Sequence, residues 1–186
     1  MGILARVIRN LRIRLYDNEK FIRYLRKSGV RIGKGCSIAK DVTFGTEPYL
    51  ITIGDDVRIT SGVKFFTHDG GFWVLRKSGK VNPDAEVFGR ITIGNNVNIG
   101  WGSIIMPGVE IGDDVVIGCG SIVTKNIPSN SVAAGVPAKI IEDIDEYAQK
   151  NSERIVLTKS MTGEKKREFL QKNYAEAESN GLERGN

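Results

Sequence analysis

The chain contains one histidine, and its chemistry suits proton transfer. His68 is followed directly by Asp69, and the two open a stretch, residues 68–90, that mixes aromatic, basic and acidic side chains. Histidine is the side-chain type whose ordinary pKa lies closest to neutrality, so an imidazole can act as a general base toward a hydroxyl group. Asp69 could orient the ring, with Asp84 and Glu86 as rivals for that role. An inert histidine in an exposed loop is the alternative interpretation.

A six-residue repeat flanks residues 68–90 and must position them. A large apolar residue recurs at every sixth position in three runs, namely Ile32, Ile38, Phe44; Ile53, Ile59, Phe65; and Ile93, Ile99, Ile105, Ile111, Ile117, Val123. Glycine often follows these anchors. Four positions after most of them stands a small or β-branched residue, as at Cys36, Val42, Val57, Val63, Val97, Ser103, Val109, Val115 and Ser121. An α-helix would not keep positions six apart on one face.

The repeat predicts a parallel β-helix, in which stacked coils bury two side chains from every six residues. Gly-Asp-Asp at 54–56 and Gly-Asn-Asn at 94–96 suit the tight corners between short strands. A β-sandwich is the alternative, but its strands usually recur at about eight to twelve residues with variable loops. We therefore predict a β-helix over residues 30–141 with one excursion, residues 68–90. Because loops on a rigid scaffold commonly carry binding residues, this excursion is predicted to be a substrate lid.

Two helical segments are predicted to flank the repeat. Residues 1–29 form an arm with apolar residues at helical spacing. Nine Lys and Arg against two acidic residues give residues 1–31 a charge of +7, compared with +5 for the whole chain. Both a cap over the first coil and contact with anionic lipid are open interpretations of this arm. Residues 142–186 are predicted to form a charged, helical C-terminal extension.

Composition argues against several protein classes. No stretch approaches the roughly 18 apolar residues of a membrane-spanning helix. Residues 1–8 include Arg6 and lack a small-residue cleavage site, so we expect no signal peptide. Cys36 and Cys119 fit reduced packing residues, and with one histidine they are too few for structural zinc, so no metal is expected. Stacking residues are sparse in the basic arm, which argues against nucleic acid. We expect a cytoplasmic protein, peripheral at the inner membrane face if the arm contacts lipid.

Residues 30–141 resemble the hexapeptide-repeat acyltransferases. The most specific stretch, residues 93–139, contains Pro-Gly-Val-Glu-Ile-Gly-Asp-Asp-Val-Val-Ile-Gly, Gly-Ser-Ile-Val-Thr-Lys-Asn-Ile-Pro and Asn-Ser-Val-Ala-Ala-Gly-Val-Pro-Ala-Lys. It looks most like the maltose and galactoside acetyltransferases. Thr-His-Asp-Gly-Gly and the long loop are closer to the sugar O-acetyltransferases of surface-polysaccharide pathways. The resemblance implies an all-β fold, a left-handed parallel β-helix with short helical segments at both ends. It also implies a homotrimer with active sites between subunits.

The same resemblance implies acetyl transfer from acetyl-CoA to a sugar or oligosaccharide hydroxyl. His68 matches the family's catalytic base, and a backbone N–H would stabilise the oxyanion. The backbone amides of Trp101 and Cys119, eighteen residues apart and hence one coil above the other, would meet the pantetheine arm of CoA. Trp101 departs from the small residues usual at its position and could instead wall the groove.

Further ligand contacts are implied at the nucleotide end of CoA and in the loop. Thr124 and Lys125 match a family segment near the nucleotide, and Lys139 matches a basic position that meets the CoA phosphates. Solvated surface is the alternative for both lysines. The candidates for contacts with the sugar acceptor are Phe72, Trp73 and Asp84. For the two aromatic residues, the alternative is that they pack the loop against the β-helix.

Rival functions differ in the residues they require. The γ-class carbonic anhydrases share the fold but need three histidines on zinc, and this chain has one. Serine acetyltransferases carry a larger helical domain ahead of the repeat than about thirty residues can form. Antibiotic-modifying acetyltransferases remain open. A non-catalytic β-helix serving as an interaction platform would need neither His68 nor the group of Thr124, Lys125 and Lys139.

Overall fold

The structure is a computed structural model and describes residues 13 and 15–179. Short strands dominate the described residues, with helices near both ends and one in the loop. In chain order the elements are α1 (Asn18–Lys27), β1 (Arg31–Ile32), β2 (Ser37–Ile38), β3 (Ile51–Ile53), β4 (Arg58–Ile59), β5 (Lys64–Phe65), α2 (Phe72–Lys77), β6 (Ile91–Ile93), β7 (Asn98–Ile99), β8 (Ile104–Ile105), β9 (Glu110–Ile111), β10 (Val116–Ile117), β11 (Ile122–Val123), β12 (Ser131–Gly135), β13 (Ala138–Asp143), α3 (Ile144–Asn151) and α4 (Gly163–Ser179).

The strands form three sheets, which the chain visits in turn. The first sheet has the order β1-β3-β6-β9, the second β2-β4-β7-β10-β12-β13, and the third β5-β8-β11. All strand pairs are parallel except that of β12 with β13, which closes the second sheet as an antiparallel hairpin. Ile93 pairs with Ile111 and Ile99 with Ile117, eighteen residues on in each case. Three six-residue units therefore complete one coil.

Two departures from this register matter for the site. Ile32 pairs with Ile53, which is 21 residues on, and the additional residues form a short turn that includes Pro48–Leu50. Ile53 then pairs with Ile93, which is 40 residues on, because residues 68–90 leave the coil and return to it. The short turn and the long loop therefore leave the β-helix from consecutive coils.

The core follows the repeat. The predicted anchors and the small residues four positions later are all buried, and Phe44 and Phe65 stack with ring centroids 5.2 Å apart. Neighbouring coils are also joined at one corner by side chains that accept backbone N–H groups. Asn95 Oδ1 accepts from Asp55 N at 2.8 Å, and Asp113 Oδ1 accepts from Asn95 N at 2.6 Å. This explains the recurrence of Asn and Asp after the anchor glycines.

Helix α1 caps the first coil. Its Phe21, Ile22 and Leu25 are buried in the core. The Asn18 side chain donates to Cys36 O at 2.8 Å and accepts from Ile38 N at 3.2 Å, so it pairs with the open edge of β2 as a strand would. Arg26 Nη2 donates to the carbonyls of residues 32 and 33 at 2.9 and 2.7 Å. Of the arm predicted over residues 1–29, residues 1–12 and 14 lie outside the described part of the chain.

Glycine after an anchor permits the close approach of coils. A Cβ on Gly100 would lie 2.5 Å from Cys119 N and 2.7 Å from Ile117 O, both of which are backbone atoms. We therefore expect Gly100→Ala to lower the free energy of unfolding by about 1–3 kcal/mol, the usual cost of overpacking. A Cβ on Gly70 would meet nothing within 4 Å, so Gly70→Ala is the matched control. Chemical denaturation of both variants checks this, and equal stability of the two would contradict it.

The described residues separate into two compact units, one ending at Gln149 and the other beginning at Lys150. The first unit contains the three sheets. The second contains a 3₁₀ turn, Ser152–Arg154, and α4, a helix rich in charged side chains. No helix among the described residues combines the length and apolarity needed to cross a membrane.

Candidate active site

His68 lies at the base of the loop, and the backbone fixes it there. Asp69 N donates to Val87 O at 3.0 Å, and Gly89 N donates to Thr67 O at 2.8 Å, so the two ends of the loop pair as antiparallel strands do. The Phe88 ring meets the imidazole edge-on, with centroids 6.2 Å apart. The loop is therefore anchored at its base, and the position of His68 does not depend on the outer part.

The His68 ring contacts a carboxylate from the coil below. His68 Nδ1 lies 3.0 Å from Glu47 Oε2. Two hydroxyl groups also donate to this carboxylate, Thr67 Oγ1 to Oε2 and Thr46 Oγ1 to Oε1, each at 2.6 Å. Both carboxylate oxygens are therefore engaged, which holds Glu47 in one orientation.

These contacts determine which nitrogen of His68 carries the proton. The Thr46 hydroxyl, then the Thr67 hydroxyl and then His68, lower the pKa of Glu47 from 4.5 to about 2. Glu47 is thus ionised at neutral pH and can only accept hydrogen bonds. His68 Nδ1 must then be the protonated nitrogen, which leaves the lone pair of Nε2 free to take a proton. The imidazole side chain is 41% exposed, so a substrate can reach it.

The carboxylate that contacts the His68 ring is Glu47 and not, as the sequence had suggested, Asp69. Asp69 Oδ1 instead accepts from Gly71 N at 2.8 Å, which stabilises the turn before α2. The other rivals, Asp84 and Glu86, line a separate hollow of about 440 Å³ with Arg76. Adjacent residues in a chain point in different directions, whereas residues stacked on consecutive coils lie side by side.

A signal for Glu47 was present in the repeat. Thr43 pairs with Lys64 across the same 21-residue offset that relates Ile32 to Ile53. Glu47 is also 21 residues before His68, so this offset places it directly beneath the histidine.

An apolar groove of about 630 Å³ adjoins His68. It follows the outer face of the third sheet and is lined by Phe66, His68, Asp69, Gly70, Val87, Ile104, Met106, Pro107, Ile122 and Thr124. The groove therefore brings together three of the residues predicted from the sequence, namely His68, Asp69 and Thr124. A polar reacting group at one side of an apolar groove suits a ligand with a mainly apolar arm.

Trp101 and Cys119 occupy equivalent corners of adjacent coils. Gly120 N donates to Trp101 O at 2.7 Å, and a Cβ on Gly62 would lie 3.8 Å from the Trp101 ring. The indole thus lies toward the coil below. Within residues 13 and 15–179, the amide N–H groups of Trp101 and Cys119 have no acceptor, unlike their glycine neighbours. Two N–H groups without an acceptor therefore lie at this corner, one on each of two adjacent coils.

The remaining predicted residues are spread over the surface. Lys125 is exposed beside Thr124, and Lys139 is exposed on β13, where it pairs with Ala134. Phe72 and Trp73 lie on α2, and Lys77 Nζ lies 5.3 Å from the Trp73 ring centroid, in a cation–π contact. The structure does not bring Asp84 to the groove. Cys36 is buried and Cys119 is exposed, and the described residues hold no group of three His, Cys, Asp or Glu able to bind a metal ion.

Comparison with known proteins decides the family. The family described as the hexapeptide repeat of succinyl-transferase matches residues 90–125. Protein CapG of Staphylococcus aureus is 52% identical over 155 residues, which cover 82% of this chain and 88% of CapG. The chain belongs to the hexapeptide-repeat acetyltransferase family. It is accordingly an enzyme of the acyltransferase class, as the resemblance of residues 30–141 predicted.

Two other relatives agree with this assignment. Galactoside O-acetyltransferase of Escherichia coli (strain K12) is 44% identical over 120 residues, which cover 64% of this chain and 56% of that protein. Among solved structures, a galactoside acetyltransferase in complex with coenzyme A matches with a TM-score of 0.51 and 27% identity, over 76% of this chain and 82% of that one.

Proposed function

We propose that this acetyltransferase moves an acetyl group from acetyl-CoA to a hydroxyl group of a sugar or oligosaccharide, on a left-handed β-helix. The observation that carries the proposal is the His68–Glu47 pair beside the apolar groove. The pair supplies an oriented base, and the groove supplies room for an extended thioester. The galactoside enzyme bound to coenzyme A supports the choice of donor.

The geometry supports a direct transfer. His68 Nε2 takes the proton of the acceptor hydroxyl as its oxygen attacks the thioester carbonyl. A C–O bond forms, and the carbonyl oxygen becomes an oxyanion that a backbone N–H stabilises. The intermediate then loses the C–S bond, and the CoA thiolate receives the proton from the imidazolium. Glu47 stays ionised throughout and stabilises the imidazolium while it exists.

The corner and the hairpin provide donors for CoA. The unpaired amides of Trp101 and Cys119 are suited to the two amide carbonyls of pantetheine, because adjacent coils lie about 4.8 Å apart. Thr124 lines the groove, and Lys125 and Lys139 are exposed cations that suit the nucleotide phosphates. The thioester end would then lie in the groove beside His68.

Lys139 provides a test of donor binding. If its ammonium group contacts the CoA phosphates, Lys139→Glu should raise the KM for acetyl-CoA by on the order of 10-fold or more, with a smaller change in kcat. Lys34→Glu is a matched control, since Lys34 is exposed at the first coil beside α1. Steady-state kinetics with varied acetyl-CoA checks this. An unchanged KM would remove Lys139 from the donor site.

The outer face of the third sheet supports assembly into a homotrimer. The outward residues of this sheet are Lys64, Ile104 and Ile122. Phe66 and Met106 lie beside it, and Phe66 is 41% exposed. The outward residues of the first sheet are instead polar: Arg31, Thr52, Thr92 and Glu110. An apolar face beside the site is suited to a neighbouring subunit that completes the groove.

The loop and the relatives favour a sugar acceptor. Trp73 is 63% exposed on α2 and could stack on a sugar ring once Lys77 moves aside, with Phe72 behind it. Asp84 would contribute only if the loop closes over the groove. Similarity to a galactoside O-acetyltransferase favours a sugar acceptor. The resemblance of Thr-His-Asp-Gly-Gly and the long loop favours an acceptor from surface-polysaccharide synthesis, made in the cytoplasm.

A screen of acceptors tests this proposal. The purified protein is mixed with acetyl-CoA and, in separate reactions, nucleotide sugars, free oligosaccharides and aminoglycosides, and acetylated products are identified by mass spectrometry. Direct detection of product avoids interference from the exposed thiol of Cys119. We expect O-acetylated sugar. Products only from aminoglycosides would favour the antibiotic-modifying alternative, and no product from any hydroxyl acceptor would contradict the proposal.

A further inference from the structure

Helix α1 has a second face, which does not pack against the first coil. Its buried side chains pack on the first coil, while Lys20, Arg23 and Lys27 recur at spacings of three and four residues and are all exposed. Residues at this spacing share one side of a helix. Because the opposite side is held in the core, these three cations are fixed on the outer surface at one end of the coil.

The three cations frame a shallow hollow. It measures about 380 Å³, and the rings of Tyr16 and Tyr24 form its remaining wall, with centroids 6.3 Å apart. Two carboxylates lie nearby: Asp17 Oδ2 is 3.2 Å from Lys20 Nζ, and Glu19 Oε2 is 3.7 Å from Arg23 Nη1. Both ion pairs are solvent-exposed and therefore contribute little, so an external anion can compete for the cations.

The sequence before α1 is also rich in basic and apolar residues. Arg6, Arg9, Arg12 and Arg14 alternate with apolar residues, and they bring the charge of residues 1–31 to +7. Leu15, next to this surface in the chain, is 84% exposed. Clustered cations with exposed leucine are typical of segments that lie on anionic membranes.

We propose that the basic surface of α1, defined by Lys20, Arg23 and Lys27, binds a membrane surface that contains anionic lipid. Nucleic acid fits less well, since Tyr16 and Tyr24 pack against the core and cannot stack freely on bases. Docking through this surface leaves the cap intact, because Asn18 and Arg26 hold the first coil through other atoms. The inference does not depend on the proposed acetyl acceptor.

The test compares two triple variants of the full chain. Lys20→Glu/Arg23→Glu/Lys27→Glu reverses the proposed surface. Lys165→Glu/Lys166→Glu/Arg167→Glu makes the same change in net charge on α4 and serves as the control. Binding is measured by co-sedimentation with phosphatidylcholine vesicles, with and without phosphatidylglycerol, at low and high salt. A thermal unfolding curve for each variant verifies that the cap is retained.

We expect the parent and the control to bind only the vesicles with phosphatidylglycerol, and to be released by high salt. The α1 variant should bind at least on the order of 100-fold more weakly, since the loss of each cation near an anionic surface costs roughly a fivefold factor and the new carboxylates add repulsion. Equal binding to neutral vesicles, or equal loss in both variants, would overturn the proposal. Displacement from vesicles by a single-stranded RNA at matched phosphate concentration would assign the surface to nucleic acid instead.

Discussion

Replacement of His68 by alanine should lower kcat for acetyl transfer by about 10²- to 10⁴-fold, the usual contribution of a general base. The acceptor hydroxyl would then have to lose its proton to water at the moment of attack. The core should be unaffected, because His68 is held by its backbone and its side chain is 41% exposed. Rates are measured with saturating acetyl-CoA and the best acceptor from the screen.

Two measurements separate loss of the base from loss of the fold. The KM for acetyl-CoA and the thermal unfolding curve of His68→Ala should match those of the parent protein. Glu86→Gln, at a carboxylate that lines a separate hollow, is the matched control. A His68→Ala rate within a few-fold of the parent would remove His68 from the chemistry.

Glu47→Gln should lower kcat by on the order of 100-fold while leaving the KM for acetyl-CoA nearly unchanged. A glutamine amide can donate to His68 Nδ1, which would favour the tautomer with the proton on Nε2, and that tautomer cannot act as a base. Glu86→Gln is the matched control, because Glu86 is a glutamate of the loop that opens at His68 but lines a separate hollow. Equal kinetics in the two variants would show that Glu47 has no positioning role.

Glu47 also has a pH signature that is independent of activity. Its pKa is about 2 in the folded protein, below the ordinary value of 4.5. A depressed pKa stabilises the folded state above the unfolded value, and that contribution is lost as the pH falls toward the folded value. The stability of the parent relative to Glu47→Gln should therefore fall as the pH is lowered from 4.5 to 2. A pH-independent difference would contradict the hydrogen bonds from Thr46 and Thr67.

The six-residue repeat is sufficient to predict the stacked coils, because the position of a residue within the six-residue unit determines whether its side chain is buried. Ile99, Ile105 and Ile117 are fully buried as their phase requires, and Ser103 and Ser121 are buried where a small residue was predicted. The residues at the ends of the stacked coils lie outside the six-residue repeat, so the repeat does not predict their contacts. The capping contacts of α1, which depend on Asn18 and Arg26 side chains, could not be predicted from periodicity.

The site was partly predictable for the same reason. His68 was identified by its position where the repeat stops, whereas its partner Glu47 depended on a shift of register between two coils. Asp69 is adjacent to His68 in sequence, but the side chain that contacts the ring comes from the neighbouring coil. The loop residues Phe72, Trp73 and Asp84 lie outside any repeat, so their placement relative to the groove carried no sequence signal.

General-base catalysis by His68 requires that the neutral ring carry its proton on Nδ1 and leave Nε2 free. Because the chain has a single histidine, ¹⁵N NMR of uniformly labelled imidazole reports this tautomer without assignment of other rings. At a pH where the ring is neutral, we predict a protonated Nδ1 and a pyridine-type Nε2 in the parent, and a shift toward the other tautomer in Glu47→Gln. A parent spectrum dominated by a protonated Nε2 would contradict the role of His68 as the base.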